Sequence, residues 1–262
     1  MTEFEEATAL QPISTGRWSA HADPRHESLS AMFGGWASAV SLRAVLATAD
    51  GESLPAAITT NYLERIAPGD DVTVRVERLG GGRSISHWRA EVRANDDDRV
   101  LTAAMVALAD RRHTDGHIEP EMPAAPDPDS LTEFHAPGPQ GQRTLIRPIS
   151  GLPPGSTSST RSQHWLREES GNPVDHVLLA YLADQYAPRS FFWGEGIRPS
   201  ATITMSVYFH ATPQELADAG ADYVLVEAIG TRGESSTSGQ QARIWSRQGA
   251  LLATTEQLAW YR

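Results

Sequence analysis

The segments from Gly34 to Ala109 are written again, in the same order, from Asp175 to Arg262. A duplication of that size constrains the chain to two like units, because what one copy folds into the other must fold into as well. The first copy opens with "GGWASAVSLRAVLATAD" (Gly34–Asp50), whose apolar Val40, Ala44 and Ala47 have helical spacing, and continues with a strand at Ile58–Ile66. Then come "DVTVRVERL", a loop "GGGRS", "ISHWRAEVRA", a turn "NDDD" and "RVLTAAMVALA". The second copy runs through a helix "DHVLLAYLADQYA" (Asp175–Ala187), a strand "ATITMSVYFHATP", "DYVLVEAIG", a loop "TRGES", "STSGQQARIWS", a turn "RQG" and "ALLATTEQLAWYR". Ile203 follows Ile58 by 145 residues and Leu252 follows Leu101 by 151, so the copies drift little between those landmarks. One long helix followed by antiparallel strands predicts an α+β fold in which each copy's sheet buries one face on a central helix. Pro120, Pro123, Pro126, Pro128, Pro137 and Pro139 crowd the stretch from His113 to Gln142, which reads as a linker between units at 1–112 and 143–262.

Composition removes several chemistries. The chain has no cysteine, which excludes disulfides, thiolate metal sites and a cysteine nucleophile. Its 22 basic residues are all arginine, so no Schiff-base or P-loop lysine exists. A net charge of −11 opposes general nucleic-acid binding, which needs a basic face for the phosphates. No apolar run is long enough for a membrane span, and "MTEFEEATAL" lacks the basic and apolar regions of a secretion signal, so the expectation is a cytoplasmic protein. No Gly-x-Ser-x-Gly elbow is present for a Ser-His-Asp hydrolase.

A duplicated fold with one active site should place its polar residues in one copy only, and three positions do so. On the offset of 145, Thr202 stands opposite Ala57; through the final strand, Gln257 stands opposite Val106; with the helices matched from Gly34 and Asp175, Asp184 falls near Arg43. Val177, Tyr181 and Asp184 are spaced i, i+4, i+7, which puts the carboxylate on an apolar stripe. A buried carboxylate is costly unless hydrogen-bonded or used, and the competing expectation is that Asp184 turns to solvent in the last turn before Pro188. Strict alternation along the strand puts Ile203, Met205, Val207 and Phe209 on the apolar face and Thr202, Thr204, Ser206, Tyr208 and His210 on the other. By that rule Thr202, like Gln257 near the chain end, is equally read as surface.

With its "FGGW" before the first helix, its "YFH" strand and its terminal "LLATTEQLAWYR", the chain resembles the acyl-CoA thioesterase II group, whose members fuse two hotdog domains. The resemblance covers nearly the whole chain. It implies a double hotdog with two antiparallel sheets, each wrapped on a central helix, and hydrolysis of acyl-CoA thioesters by direct attack of water. No cofactor or metal is implied, and further association of the fused units into a homo-oligomer is. The family pattern has an Asp on the second helix, a Thr opening the following strand and a Gln in the last strand. Asp184 in "LADQY", Thr202 in "ATIT" and Gln257 in "ATTEQ" match it. The resemblance implies that Asp184 is the general base and that Thr202 and Gln257 hold the attacking water. The backbone at Gly34 and Gly35, which opens the first helix, is then a candidate oxyanion hole between the two copies; otherwise the glycines serve close packing of the helix start.

Coenzyme A is polyanionic, and Arg75, Arg78, Arg83, Arg89 and Arg93 crowd the strands around "RLGGGRS". Arg83 sits in the loop itself and is the candidate CoA contact; a solvated strand face is the plainer expectation. Where the family's first half often ends this strand "Phe-Leu-Arg-Pro", the chain has "YLERIAP", which puts Glu64 near the expected acyl or pantetheine tunnel. Two rival functions stay open: a hotdog hydratase or dehydratase, for which His176 and His210 are the histidines to weigh, and a non-catalytic acyl-CoA or lipid-binding protein. His113 and His117 have the i, i+4 spacing of a metal pair but sit in the Pro-rich stretch.

Overall fold

The computed structural model describes residues 1–262 apart from 30, 50, 52, 113, 155–158 and 194–195. Along the chain these form α1 (Glu3–Ala7), β1 (Gln11–Ser14), β2 (Arg17–His21), β3 (Glu27–Ser28), β4 (Ala31–Met32), α2 (Gly34–Thr48), β5 (Leu54–Tyr62), β6 (Asp71–Gly81), β7 (Ile85–Ala94) and β8 (Val100–Ala109). The second copy supplies β9 (Thr144–Ser150), β10 (Ser162–Glu168), α3 (His176–Leu182), β11 (Ser200–Phe209), α4 (Pro213–Ala219), β12 (Val224–Glu234), β13 (Thr237–Ser246) and β14 (Leu251–Tyr261).

The duplication is visible in the strand order. One 12-stranded sheet runs β1-β2-β6-β7-β8-β5-β11-β14-β13-β12-β10-β9, so each copy reads outward from the centre in the same sequence. The expected two sheets are one because β5 and β11 pair antiparallel, with Val207 opposite Ile58 and Met205 opposite Thr60. That pairing removes an exposed edge from each copy, which is the physical reason for the continuous ladder. The remaining β3 and β4 pair with each other as a short ribbon. Most of the drift between the copies enters where β11 passes to β12 through α4, a helix started by Pro213 behind a Thr212–Glu215 capping box.

Both central helices lie on the inner face of the sheet. α2 is apolar nearly all round, with Trp36, Val40, Leu42, Ala44 and Val45 fully buried, as expected of a helix enclosed on most sides. Its far end is wetter than the spacing predicts: Ala47 is exposed and the helix stops at Thr48, while Asp50 lies outside the described residues. One hydrophobic core holds α2, α3 and the inner residues of both halves of the sheet. A second, smaller cluster of Trp165, Tyr223, Leu225 and Trp245 sits on the opposite face of the second copy, under Met122, Ala125 and Leu131. The Pro-rich stretch is thus more than a tether: Pro126 accepts from the Trp165 indole at 2.9 Å, and Arg247 pairs with Asp127 and Asp129. Among the described residues no helix is long and apolar enough to cross a membrane.

Candidate active site

The end of α3 meets the start of α2, and the meeting needs the two glycines. A Cβ on Gly35 would stand 2.4 Å from the Tyr181 carbonyl oxygen, and one on Gly34 would stand 2.8 Å from Asp184 Oδ2. The close packing considered for "FGGW" is therefore against α3 and the turn after it. That turn comes earlier than the helical spacing predicts. α3 ends at Leu182, and Asp184 and Gln185 donate their N–H groups back to Tyr181 and Leu182, at 3.3 and 3.0 Å, as a tightened final turn does.

Asp184 neither swings to solvent nor goes without partners. Its Oδ2 accepts the Gly35 backbone N–H at 2.9 Å, at the positive end of α2, and its Oδ1 accepts the Gln257 amide at 2.9 Å. Burial pushes its carboxyl up to about 7, with the Gln257 and Gly35 hydrogen bonds pulling the other way. The Gly35 N–H is thereby engaged by the protein's own carboxylate. The Gly34 N–H, one residue earlier, makes no hydrogen bond among the described residues.

Gln257 is 3% exposed and stands opposite Met205 across β11 and β14. Val106 holds the same place in the first copy, opposite Ile58 across β5 and β8. The sheet register also corrects the partner assigned to Thr202. Met205 takes the place of Ile58, and both strands slip at equivalent points, between Thr202 and Thr204 and between Pro55 and Ala57. Thr202, paired with Ala259, therefore corresponds to Pro55, paired with Leu108, and not to Ala57.

The same slip overturns the face expected for Thr202. A bulge at Ile203 inserts one extra residue, and alternation inverts across it. Ile203, expected inside, is 39% exposed, whereas Thr202 pairs with the buried Ala259 and so shares the inner face with Met205 and Gln257. Thr202 lies about two residues, roughly 7 Å, along that face from Gln257. Its hydroxyl makes no hydrogen bond among the described residues.

Several groups at this junction escape sequence reasoning. From the first copy, the Tyr62 hydroxyl donates to the Gly34 carbonyl at 3.1 Å and pairs with Ser38 Oγ at 2.9 Å, which in turn meets Thr60 Oγ1 at 3.0 Å. Burial, and then the Asp184 charge, hold the Tyr62 phenol well above its usual range, so it stays neutral. From the second copy, Tyr186 is buried and is shifted upward by the same two causes. The alternation of β5, with Ile58 and Thr60 inside, was the available signal for Tyr62. Nothing in the sequence marks Tyr186.

Other expectations are not brought here. Arg83 is exposed and lines a cleft of about 280 Å³ with Arg78, Trp88 and Ala49, at the far end of α2. That end is roughly 20 Å from Gly34 at the rise of a helix. Arg75, Arg89 and Arg93 are paired with Asp98, Glu77 and Glu91 respectively, on the solvated face. Glu64 is exposed and paired with Arg99, not turned into a tunnel. His176 packs edge-on to Phe209, where burial and then Arg111 drive its pKa down to about 4; His210 bonds Thr254 on the surface at 2.9 Å. His113 lies outside the described residues, so the pair with His117 has no geometry to describe.

Two family models match the chain: the N-terminal domain of acyl-CoA thioesterases over residues 22–111 and the C-terminal domain over residues 119–261. No curated protein matches it. Among solved structures, a conserved hot dog protein of unknown function from Alicyclobacillus acidocaldarius is 27% identical with a TM-score of 0.94, covering 100% of this chain and 98% of that one. The tesB protein of Mycobacterium avium subsp. paratuberculosis is 22% identical with a TM-score of 0.81, covering 99% and 98%. The acyl-CoA thioesterase II TesB2 of Mycobacterium marinum is 21% identical with a TM-score of 0.76, again covering 99% and 98%. At those identities the last two speak for the hotdog fold alone.

Proposed function

Since the chain belongs to the acyl-CoA thioesterase family, with the family's two domains spanning most of its length, we propose that its thioester hydrolysis runs through a water activated by Asp184. The observation that carries this reading is the carboxylate itself: a half-buried acid held at both oxygens by N–H donors from two different elements, and titrating near neutrality. A general base works best with its pKa close to the working pH, because it is then both ionised and able to take a proton. Each Asp184 oxygen has a further lone pair for a water O–H. A thioester carbonyl is electrophilic enough to be attacked by such a water without a covalent nucleophile.

Thr202 is the second anchor of the water, its hydroxyl being without a partner on the face that carries Gln257. Gln257 fixes the carboxylate with one amide hydrogen. Among the described residues its nitrogen otherwise meets Met205 Sδ at 3.2 Å and the Ala183 carbonyl at 3.4 Å, acceptors with which a bound water competes for the second hydrogen. The oxyanion role falls to Gly34, at the positive end of α2, in place of the Gly35 named with it from sequence. Arg83 acts only at range, drawing the polyanionic CoA toward an acidic protein.

Thiol release from a series of acyl-CoA substrates tests this. Asp184→Asn is expected to lower kcat about 1,000-fold while KM stays within a few-fold. An Asn variant that hydrolyses at the wild-type rate would refute the assignment of the base.

A further inference from the structure

Beyond the residues that meet the water, a chain of buried amides runs inward from the site. Gln240 stands directly opposite Gln257 across β13 and β14, and both are 3% exposed. The Gln240 amide donates to Gln257 Oε1 at 2.7 Å, and Gln240 Oε1 accepts the backbone N–H of Arg189 at 2.9 Å. The last link is the one already described, from Gln257 to Asp184 Oδ1.

Hydrogen-bond logic distinguishes the two ends of each glutamine amide. The Arg189 N–H can only donate, so it must meet the oxygen of Gln240. The NH2 of Gln240 then points at Gln257 and must meet an oxygen there. That leaves the NH2 of Gln257 for Asp184. One backbone hydrogen thus sets the direction of every bond down the line.

The backbone of Arg189 is itself held. Its side chain is 1% exposed and has no carboxylate partner among the described residues. Instead its guanidinium donates to the carbonyls of Ala187 and Thr160 and to Ser162 Oγ, at 2.6 to 3.0 Å, and lies 4.3 Å from the centre of the Phe192 ring. Burial lowers its pKa to about 10, which keeps it a cation at neutral pH. These bonds pin the segment after α3 to β10, and with it the N–H that begins the line.

We propose that Gln240 is a positioning residue for the hydrolysis: it fixes the Gln257 amide so that Asp184 always meets an N–H and never a carbonyl oxygen. This rests on the assignment of Asp184 as the base. A reversed Gln257 amide would set oxygen against oxygen, favour the protonated acid and remove the base at neutral pH. The other titratable groups facing Asp184 are Tyr62 from β5 and Tyr186 from the segment after α3, with Arg189 behind Tyr186. Both phenols are held above their usual range by burial and then by the Asp184 charge.

The test is the pH profile of kcat for wild type, Gln240→Met and Asp184→Asn. With no donor at position 240, Gln257 is free to turn, and the midpoint of the acid limb is expected to rise by about one pH unit. At pH 7 kcat falls about fivefold and KM stays within about twofold. A Met variant whose acid limb coincides with that of wild type, whatever its overall rate, overturns the proposal. Should Gln240→Met not fold, Gln240→Leu takes its place, since it too offers no hydrogen to Gln257 and adds no charge. The same displacement is expected, and its absence is equally decisive. The Asn variant separates the two layers. Wild-type hydrolysis by Asp184→Asn refutes the base itself, whereas an inactive Asn variant beside an unshifted Gln240→Met profile refutes only the role of Gln240.

Discussion

Trp88 and Val106 face each other across β7 and β8, and Gln240 and Gln257 face each other at the same place across β13 and β14. All four side chains are buried on the inner side of the sheet. The backbone is shared and the chemistry is opposite. In the first copy an indole and an isopropyl group contribute packing, and their one polar group, the indole N–H, is met locally by Ser86 Oγ at 2.9 Å. In the second, two amides replace them, and buried amides are tolerated only when their hydrogen bonds are made. Here they are, because the pair lies between a backbone N–H at one end and a carboxylate at the other. The difference teaches how the copies of a duplicated fold diverge: one keeps the packing solution while the other holds a directed polar line. The first copy still contributes, through the N-terminus of α2 and the Tyr62 hydroxyl that braces it.

The sharpest way to break that comparison is to give the second copy the first copy's residue. Gln257→Val removes the donor to Asp184 and strands Gln240, so kcat in the thiol-release assay is expected to fall about 100-fold. A rate within threefold of wild type would mean that the amide pair is only a packing variant.

A medium effect is expected in stability. Asp184 titrates near 7 in the folded chain and at an ordinary, lower value when unfolded, so between about pH 4 and pH 7 the folded state holds more protons. Its contribution to stability therefore declines as pH rises through that window. Asp184→Asn lacks this slope. From pH 4 to pH 8 the Tm of the variant is expected to gain on that of wild type by about 5 °C. Taking the difference cancels the buried His26, His164 and His176, whose pKa values are lowered to about 4 and which act at the acid end in both proteins. Parallel Tm curves would show that Asp184 is an ordinary surface acid.

The smallest effect concerns the first copy alone. Arg83→Ala is expected to raise KM by about twofold at low salt, less at high salt, with kcat unchanged, as long-range steering requires. A tenfold rise that survives high salt would instead put Arg83 in direct contact with the substrate and give the first copy a binding role of its own.

Much of this was legible in the residues. The duplication, the order helix then strands and the placing of Asp184, Thr202 and Gln257 in one copy follow from local pattern, because propensity and spacing act over a few residues. Asp184 was ambiguous between a buried stripe and an exposed last turn. It is neither, since α3 stops at Leu182 and the carboxylate is held half-buried by the Gly35 N–H, from a residue more than a hundred positions away in the chain. Thr202 was turned to the wrong face because alternation holds only in an unbroken ladder, and no residue in "SATIT" announces the bulge at Ile203. Gln240 stands unmarked within "STSGQQARIWS". The sequence by itself determined two like units, an excess of acid, and which copy carries the polar set, all of which are properties of composition and local order. Which way the Gln257 amide points, which face Thr202 joins and which glycine N–H is left free were decided by tertiary structure alone. Each of those depends on a hydrogen bond or a strand register between residues that only folding brings within 3 Å of each other.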